Sequence, residues 1–491
     1  MTPEPPRSPA GEQKRPPAVS TPPEGARIAL DRGTALWSGG GAATGGAPWK
    51  VLRLGQAAKP HILALRAAGE RGLAPRSAIE RALARQLLDH GLAHPVPRSR
   101  PGPHEVTLVV PAYGRADDLE RTLAAVKGLP VIVVDDASPD PGPVSRTAAA
   151  YGAHIMRHEV NRGPAAARNT GLRAADTPFV AFVDSDCRPE AGWLDALMPY
   201  FDDPKVAAVA PRVVPESADD RLLTRYEAVR SALDMGRRAA LVRPGAKLGF
   251  VPTATLVVRK EAVSDPAFDE ELRLGEDVDF VWRLADLGWH VRYQPEVRVA
   301  HTPRPDLPSW ARRRHEYGTS AADLSERHPG RLAPARPSAW NLATLAFLAF
   351  GRPLPAAACA AASAALLHRA LAGTSENPAL SATIVAKGTA ADAAALGHAL
   401  RREWWPLGLL CLATTPFSRV SRATALAMLA PIALEWVTGR PAVDPLRYTA
   451  LRLLEDLAYG SGVTSAARGS RTLAPLLPRV GSPFPKRRRR K

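Results

Sequence analysis

Pro178-Phe179-Val180-Ala181-Phe182-Val183-Asp184-Ser185-Asp186 runs from an unbroken apolar segment straight into two carboxylates one residue apart. An apolar run this short, with no alternation, reads as a strand buried on both faces. Two earlier segments have the same form. Val106-Thr107-Leu108-Val109-Val110 runs into Pro111-Ala112-Tyr113, and Pro130-Val131-Ile132-Val133-Val134 runs into Asp135-Asp136. Residues 117–126 carry a helical pattern between the first two runs, and 169–174 close a short helix ahead of the third. This alternation predicts an α/β domain with a mostly parallel sheet and right-handed crossovers. Ligands of such sheets bind beyond the carboxyl ends of the strands. Here three strand ends turn polar together, so the candidate site lies there.

The chemistry follows from the residue types. Asp184 and Asp186, past a strand end, can hold a hard divalent cation, Mg²⁺ or Mn²⁺, of the kind that neutralises a diphosphate leaving group. Asp135 and Asp136 can accept hydrogen bonds from a base or a ribose, or one of them can close the turn at Ser138-Pro139. In Asn161-Arg162-Gly163-Pro164-Ala165-Ala166-Ala167-Arg168-Asn169-Thr170-Gly171 the small residues permit close backbone approach. Arg168 and Asn169 would bring a cation and an amide near the nucleotide, while Pro164 sits where a helix begins. Gly275-Glu276-Asp277-Val278-Asp279 precedes a helical pattern over 280–287. A carboxylate there can take the proton of an attacking hydroxyl, with Asp277 the first candidate and Glu276 the second. Acidic residues are also favoured at helix starts for their own sake. His301 ends the apolar stretch from Val297 and can add an imidazole to the metal shell. Of the arginines on the next helical segment, Arg313 is the candidate diphosphate contact.

The 491 residues are too many for one core. Lys and Arg number 65 against 48 Asp and Glu, a net charge of +17. The basic residues are scattered, with few aromatics among them, which disfavours a nucleic-acid partner. An anionic membrane face or an anionic sugar nucleotide fits better. Cys187, Cys359 and Cys411 lie far apart, so neither a disulfide framework nor a zinc site is expected. Residues 1–27 read as a disordered leader without the apolar core of a signal peptide. Residues 28–97 read as a small winged-helix-like α+β module built on a hairpin around the glycine run 39–46, and 98–105 as a linker. The catalytic α/β domain takes 106–330. Residues 338–437 hold apolar helical stretches read as membrane-associated, and 438–491 end in the basic run Lys486-Arg487-Arg488-Arg489-Arg490-Lys491. No stretch of twenty residues is apolar without interruption, so a helical hairpin packed on protein or lying in the interface is the alternative.

Val109-Val110-Pro111-Ala112-Tyr113, Val134-Asp135-Asp136-Ala137-Ser138, Ala167-Arg168-Asn169-Thr170-Gly171, Asp184-Ser185-Asp186 and Gly275-Glu276-Asp277 together resemble family 2 glycosyltransferases, over residues 106–324. The resemblance implies a GT-A nucleotide-diphospho-sugar transferase domain, an inverting mechanism and Mg²⁺ or Mn²⁺. It implies Pro111, Ala112, Tyr113, Asp135 or Asp136, Arg168, Asn169, Asp184 and Arg313 around the nucleotide sugar. Asp184, Asp186 and His301 would hold the metal, and Asp277 would act as base. The stretch Asn161 to Gly171 quoted above, with Arg225-Tyr226-Glu227-Ala228, Ser231-Ala232-Leu233-Asp234-Met235-Gly236 and Asp456-Leu457-Ala458-Tyr459-Gly460, is similar to the mycofactocin-pathway glycosyltransferases. That narrower resemblance implies a UDP-glucose donor and a small, ribosomal-peptide-derived redox cofactor as acceptor. It makes residues 28–97 similar to PqqD-type peptide-recognition modules, with a precursor peptide or biosynthetic partner. The cell membrane, with the catalytic domain on its cytoplasmic face, is the expected location. The second expectation is a lipid or cell-envelope glycan acceptor. Trp310-Ala311-Arg312-Arg313-Arg314 stands where processive polysaccharide synthases carry Gln-x-x-Arg-Trp, which argues against a long-polymer synthase.

Overall fold

The computed structural model describes residues 14–216, 219–304, 306–375 and 377–481. The first half of the expected leader and the basic run at 486–491 lie outside the described residues. The chain forms two compact units. The first takes residues 1–35, 43–218 and 230–303, and the second takes 36–42, 219–229 and 304–491.

The first unit is organised by one mixed sheet. Its strand order is Cys187–Pro189, His290–His301, Val206–Pro215, Thr255–Arg259, Phe179–Val183, Val106–Ala112, Val131–Asp135 and His154–Arg157, and Ala240–Val242 also pairs with His290–His301. Val106–Ala112 lies between Val131–Asp135 and Phe179–Val183 and is parallel to both. The three apolar runs read from the sequence are thus neighbours, with their carboxyl ends side by side. The expectation of a mostly parallel sheet holds from His154–Arg157 to Phe179–Val183 and again where Val206–Pro215 runs parallel to His290–His301. Thr255–Arg259 runs antiparallel to Phe179–Val183 and to Val206–Pro215. An antiparallel neighbour is not tied to a helical crossover, so the alternation of strands and helices does not foretell the direction of Thr255–Arg259.

The core beneath the strand ends is apolar. Leu108, Val110, Val133, Ala181, Val183 and Val257 are fully buried in one cluster. Helix Pro164–Ala174 lies directly on the central strand. A Cβ at Gly171 would overlap the Val109 side chain, so only glycine lets the helix settle there. That close seating carries Arg168 and Asn169 to the strand ends.

The same unit includes the N-terminal module. Helices Lys59–Ala68 and Ala78–Asp89 form as the periodicity predicts, the second opened by a capping box between Ser77 and Glu80. The glycine run carries the strand Ala42–Gly45, hydrogen-bonded to the next strand in the chain, Lys50–Arg53, as the expected hairpin requires. Ile28–Leu30 pairs with Ala93–Pro95, bringing the two ends of the module together. Helix Ala78–Asp89 is tied to the mixed sheet by Arg85–Asp203 at 2.8 Å and by Lys205 and His290, each 3.1 Å from Asp89. Nearer the chain start, the buried Trp289 indole donates a 2.8 Å hydrogen bond to the Lys14 carbonyl.

The second unit is helical: Leu307–Arg327, Ala339–Ala349, Pro353–Ala370, Pro378–Arg401, Trp405–Ala413, Arg419–Gly439 and Pro445–Gly469, with Leu222–Arg230 beside them. Leu307–Arg327 and Pro445–Gly469 touch backbone to backbone. A Cβ at Gly318 would collide with the Tyr459 carbonyl, and one at Gly462 with the His315 carbonyl. Tyr226, Trp310, Tyr448 and Ile432 form the apolar centre. Buried charge surrounds it. Glu227 accepts from the Trp310 indole and from Arg314, each at 2.9 Å, and Tyr226 donates to Glu455 at 2.8 Å. Arg401 and Arg452 both grip Asp456 at 2.8 Å. Within the described residues, Arg419–Gly439 is the one helix long and apolar enough to cross a membrane by length and composition.

Candidate active site

Asp135 and Asp136 sit side by side at one strand end with opposite assignments. Asp135 is fully buried and accepts from the Ser138 amide at 2.9 Å, from the Ser138 hydroxyl and from Arg157. It closes the turn and holds that turn shut. Asp136 accepts from the Arg162 amide at 2.9 Å and the Gly163 amide at 2.7 Å, and pairs with His158 at 2.8 Å. Its carboxylate therefore ties down the loop before helix Pro164–Ala174, one residue past the register pair Ala112–Asp135. Both carboxylates are occupied by protein groups. Both therefore hold turns, because buried carboxylates need donors wherever the fold can supply them. Tyr113 is different. It follows the central strand and is 53% exposed, an open ring at the strand ends.

Asn169 is also committed. Its amide oxygen accepts from the Ala267 and Phe268 amides at 3.1 and 2.9 Å, and its nitrogen donates to the Phe268 carbonyl at 2.8 Å and to Glu270 at 3.0 Å. Every bonding position is used on the 267–270 segment, so Asn169 positions that segment and does not present its amide to a ligand.

Arg168 is the hinge of the site. Buried on its helix, it donates to Asp184 and to Glu276, each at 2.8 Å, and its guanidinium lies 5.7 Å from the Phe268 ring centre. One guanidinium thus joins the end of Phe179–Val183 to the start of helix Glu276–Leu287, whose N-cap Gly275 has φ 84°. Glu276 is consumed by this pair. Asp277 is not. Its carboxylate accepts only the adjacent Val278 amide, at 2.8 Å, among the described residues. The side chain is partly buried. Burial first, and then the Glu276 charge, push its pKa up to about 7, with Arg168 pulling the other way.

The Asp184–Asp186 turn is held from several sides. The Asp184 amide donates to the Ala254 carbonyl at 2.9 Å, Thr122 donates to the Ser185 carbonyl at 2.9 Å, and the Thr302 amide donates to the Asp186 carbonyl at 3.2 Å. The side chains then part. Asp184 turns to Arg168, whereas Asp186 faces His301 at 3.5 Å and Arg115 at 3.7 Å. Among the described residues, no three His, Cys, Asp or Glu side chains gather as a metal centre. Of the expected set, Asp186 and His301 face each other as a pair, and Asp184 is bonded to Arg168. That pair still suits Mg²⁺ or Mn²⁺, which take one or two protein ligands and complete their shell from phosphate oxygens and water. Arg313 stands in the second unit, pairing with Glu316 at 3.0 Å and lying 4.8 Å from the Tyr317 ring centre.

Arg115, Thr122 and His158 went unnoticed in the sequence. Thr122 sits mid-helix in Ala116–Ala125, His158 follows the edge strand, and Arg115 is a non-glycine residue at φ 50°. Each acts on a segment distant along the chain, and none falls in a motif.

The family model described as glycosyl transferase family 2 matches residues 107–265. The pre-mycofactocin glycosyltransferase of Mycobacterium tuberculosis is 38% identical over 474 residues, covering 93% of this chain and 98% of that protein. Glycosyltransferase AglE of Haloferax volcanii is 28% identical over 211 residues, 41% of this chain and 67% of its own. Among solved structures, the mannosyltransferase PcManGT of Pyrobaculum calidifontis, in complex with GDP-Man and Mn²⁺, matches with a TM-score of 0.36 and 22% identity, over 68% of this chain and 89% of that one.

Proposed function

Because the chain belongs to the family 2 glycosyltransferases, and to the group that includes the pre-mycofactocin enzyme, we propose that it transfers glucose from UDP-glucose, with inversion, to a ribosomal-peptide-derived redox cofactor. The carrying observation is that the 38% identity spans 93% of the chain, so it includes the N-terminal module and the C-terminal helices as well as the catalytic domain. A likeness confined to the nucleotide-sugar domain would leave the acceptor open.

Asp277 is the base. It is the one carboxylate of the Arg168 cluster not bound to the guanidinium, and a pKa near 7 lets it take the acceptor hydroxyl proton as the sugar bond forms. Glu276 and Asp184, fixed by Arg168, keep that carboxylate in place. Tyr113 offers its ring to the base, and Asp136 shapes the backbone that approaches the donor. Asp186 and His301 would hold Mg²⁺ or Mn²⁺, whose charge, when bound, offsets that of the departing diphosphate. The N-terminal module is the place for a peptide-derived acceptor or a biosynthetic partner. The helical unit meets the cytoplasmic face of the cell membrane.

One observation favours a second acceptor class. The second unit exposes large apolar side chains such as Leu354 and Phe417, as an enzyme working on a lipid-linked or envelope glycan would. Purified protein with UDP-glucose, Mn²⁺ and a cell extract, read by mass spectrometry, separates the two. A hexose increment on a peptide-derived small molecule supports the first reading. Sugar found only on lipid moves the acceptor to the second, and absence of donor turnover removes both.

A further inference from the structure

We propose that the helical unit enters the bilayer from one leaflet, through a tip formed by two inter-helix turns, and does not cross it. This rests on the membrane-surface reading above and states its mode. The first turn joins Ala339–Ala349 to Pro353–Ala370 and carries Phe350, 65% exposed, and Leu354, 82% exposed. The second joins Trp405–Ala413 to Arg419–Gly439 and carries Phe417, 88% exposed. The two turns lie together, since a Cβ on Gly351 would stand 3.2 Å from the Arg419 guanidinium. The sequence places Phe350 and Phe417 far apart, and only the helix packing makes them one surface.

Charge around the tip fits an anionic bilayer. Residues 339–375 and 404–434 contain no Asp or Glu. Arg352, Arg419 and Arg422 are exposed at the same two turns. Apolar side chains at the apex with a collar of arginines is the arrangement that sinks into acyl chains while its cations meet lipid phosphates.

Depth is limited by two features. Ala339–Ala349 has 11 residues and Trp405–Ala413 has 9. At 1.5 Å per residue these reach about 16 and 14 Å, well short of the roughly 30 Å hydrocarbon core. Arg419–Gly439 is long enough, but midway along it the Met428 carbonyl accepts from buried Arg401, which is paired with Asp456 and through it with Arg452. At the start of Ala339–Ala349, away from the tip, Asn341 donates to Asp392 at 2.7 Å. Crossing would carry this charged layer into hydrocarbon, where such groups are expensive. Entry to the level of that layer leaves it in the interface.

The test is flotation of the full chain with vesicles of phosphatidylcholine, with and without phosphatidylglycerol, alongside donor turnover in solution. Wild type should float, more so with phosphatidylglycerol and less at high salt. The triple substitution Phe350→Ser, Leu354→Ser, Phe417→Ser should weaken flotation by about ten-fold or more with its thermal melt unchanged. Arg352→Ala with Arg419→Ala should remove only the phosphatidylglycerol-dependent part. For depth, Phe417→Cys in a chain with its three native cysteines changed to Ser carries an environment-sensitive fluorophore. Quenching by acyl-chain quenchers and none by a quencher trapped in the vesicle lumen is expected. Lumenal quenching overturns the one-leaflet mode. Undiminished flotation of the triple variant overturns the tip, as does a wild-type dimer on gel filtration that the triple substitution dissolves, which would make a second copy the occupant. Failure of the wild type to float with donor turnover intact defeats the docking alone, and flotation of the wild type without turnover defeats the transferase assignment alone.

Discussion

Two arginine–carboxylate clusters, one in each unit, look alike as lists of residues and differ in what they leave over. In the helical unit Arg314, Arg401 and Arg452 meet Glu227, Glu455 and Asp456, and every carboxylate there is held by at least one cation. Burial works to raise the pKa of Asp456, but His398, Arg452 and Arg401 together hold it well below the usual carboxylate range. At the strand ends a single guanidinium, Arg168, serves Asp184 and Glu276, and Asp277 stands beside them without a cation of its own. Its pKa goes up, not down. A saturated network fixes helices, whereas an unsaturated one leaves a group whose proton can move near neutral pH.

The sharpest way to break this contrast is Asp277→Asn. Transfer should fall by about 10²–10⁴-fold with donor binding retained, measured by turnover and calorimetric titration. Lost donor binding would make Asp277 a structural residue. The pH profile carries the same information. The base acts when ionised, so kcat/KM should rise through about pH 7 in wild type and lose that limb in the variant. Stability moves the opposite way. The folded carboxyl holds its proton above the ordinary value of 3.8, so its favourable contribution is present below that pH and is lost as pH rises through about 7. Above pH 7 the Asn variant should therefore melt no lower than wild type.

Asp186→Ala comes next. It should cut Mn²⁺-dependent transfer by roughly a hundred-fold or more and weaken Mn²⁺ binding, with the melt of the metal-free protein unchanged. Unaltered metal dependence would remove the Asp186–His301 pair from the site. In the saturated cluster, Asp456→Ala takes from buried Arg401 its carboxylate and leaves Arg452 only Glu435 and Glu455, and should cost about 3–5 kcal/mol in denaturant unfolding, while the folded fraction keeps its donor turnover. Lost turnover in a fully folded Asp456 variant would mean that this network does more than hold helices. The smallest effect belongs to Tyr113→Ala. A few-fold rise in the donor KM with little change in kcat is expected from loss of one stacked ring.

The linear pattern carried the first half of the sheet and the address of the site. Apolar runs ending in Pro111-Ala112-Tyr113, Asp135-Asp136 and Asp184-Ser185-Asp186 are local signals, because burial on both faces and a polar strand end are written in consecutive residues. The acidic helix start at Glu276-Asp277 is local too. Which carboxylate does what was not legible there. Asp135, Asp136 and Asn169 look as available as Asp277 in one dimension, and the folded chain spends them on Arg157, on the 161–163 loop and on the 267–270 segment. The antiparallel strands, the module closed by Ile28–Leu30 against Ala93–Pro95, and the joined tips at Phe350 and Phe417 all depend on pairings between distant segments. Composition and short-range periodicity decide which residues are buried and where strands end, since those depend on neighbours in the chain. Partnership among buried charges is set by which distant groups packing brings within about 3 Å, and there a single guanidinium decides between a fixed carboxylate and a reactive one.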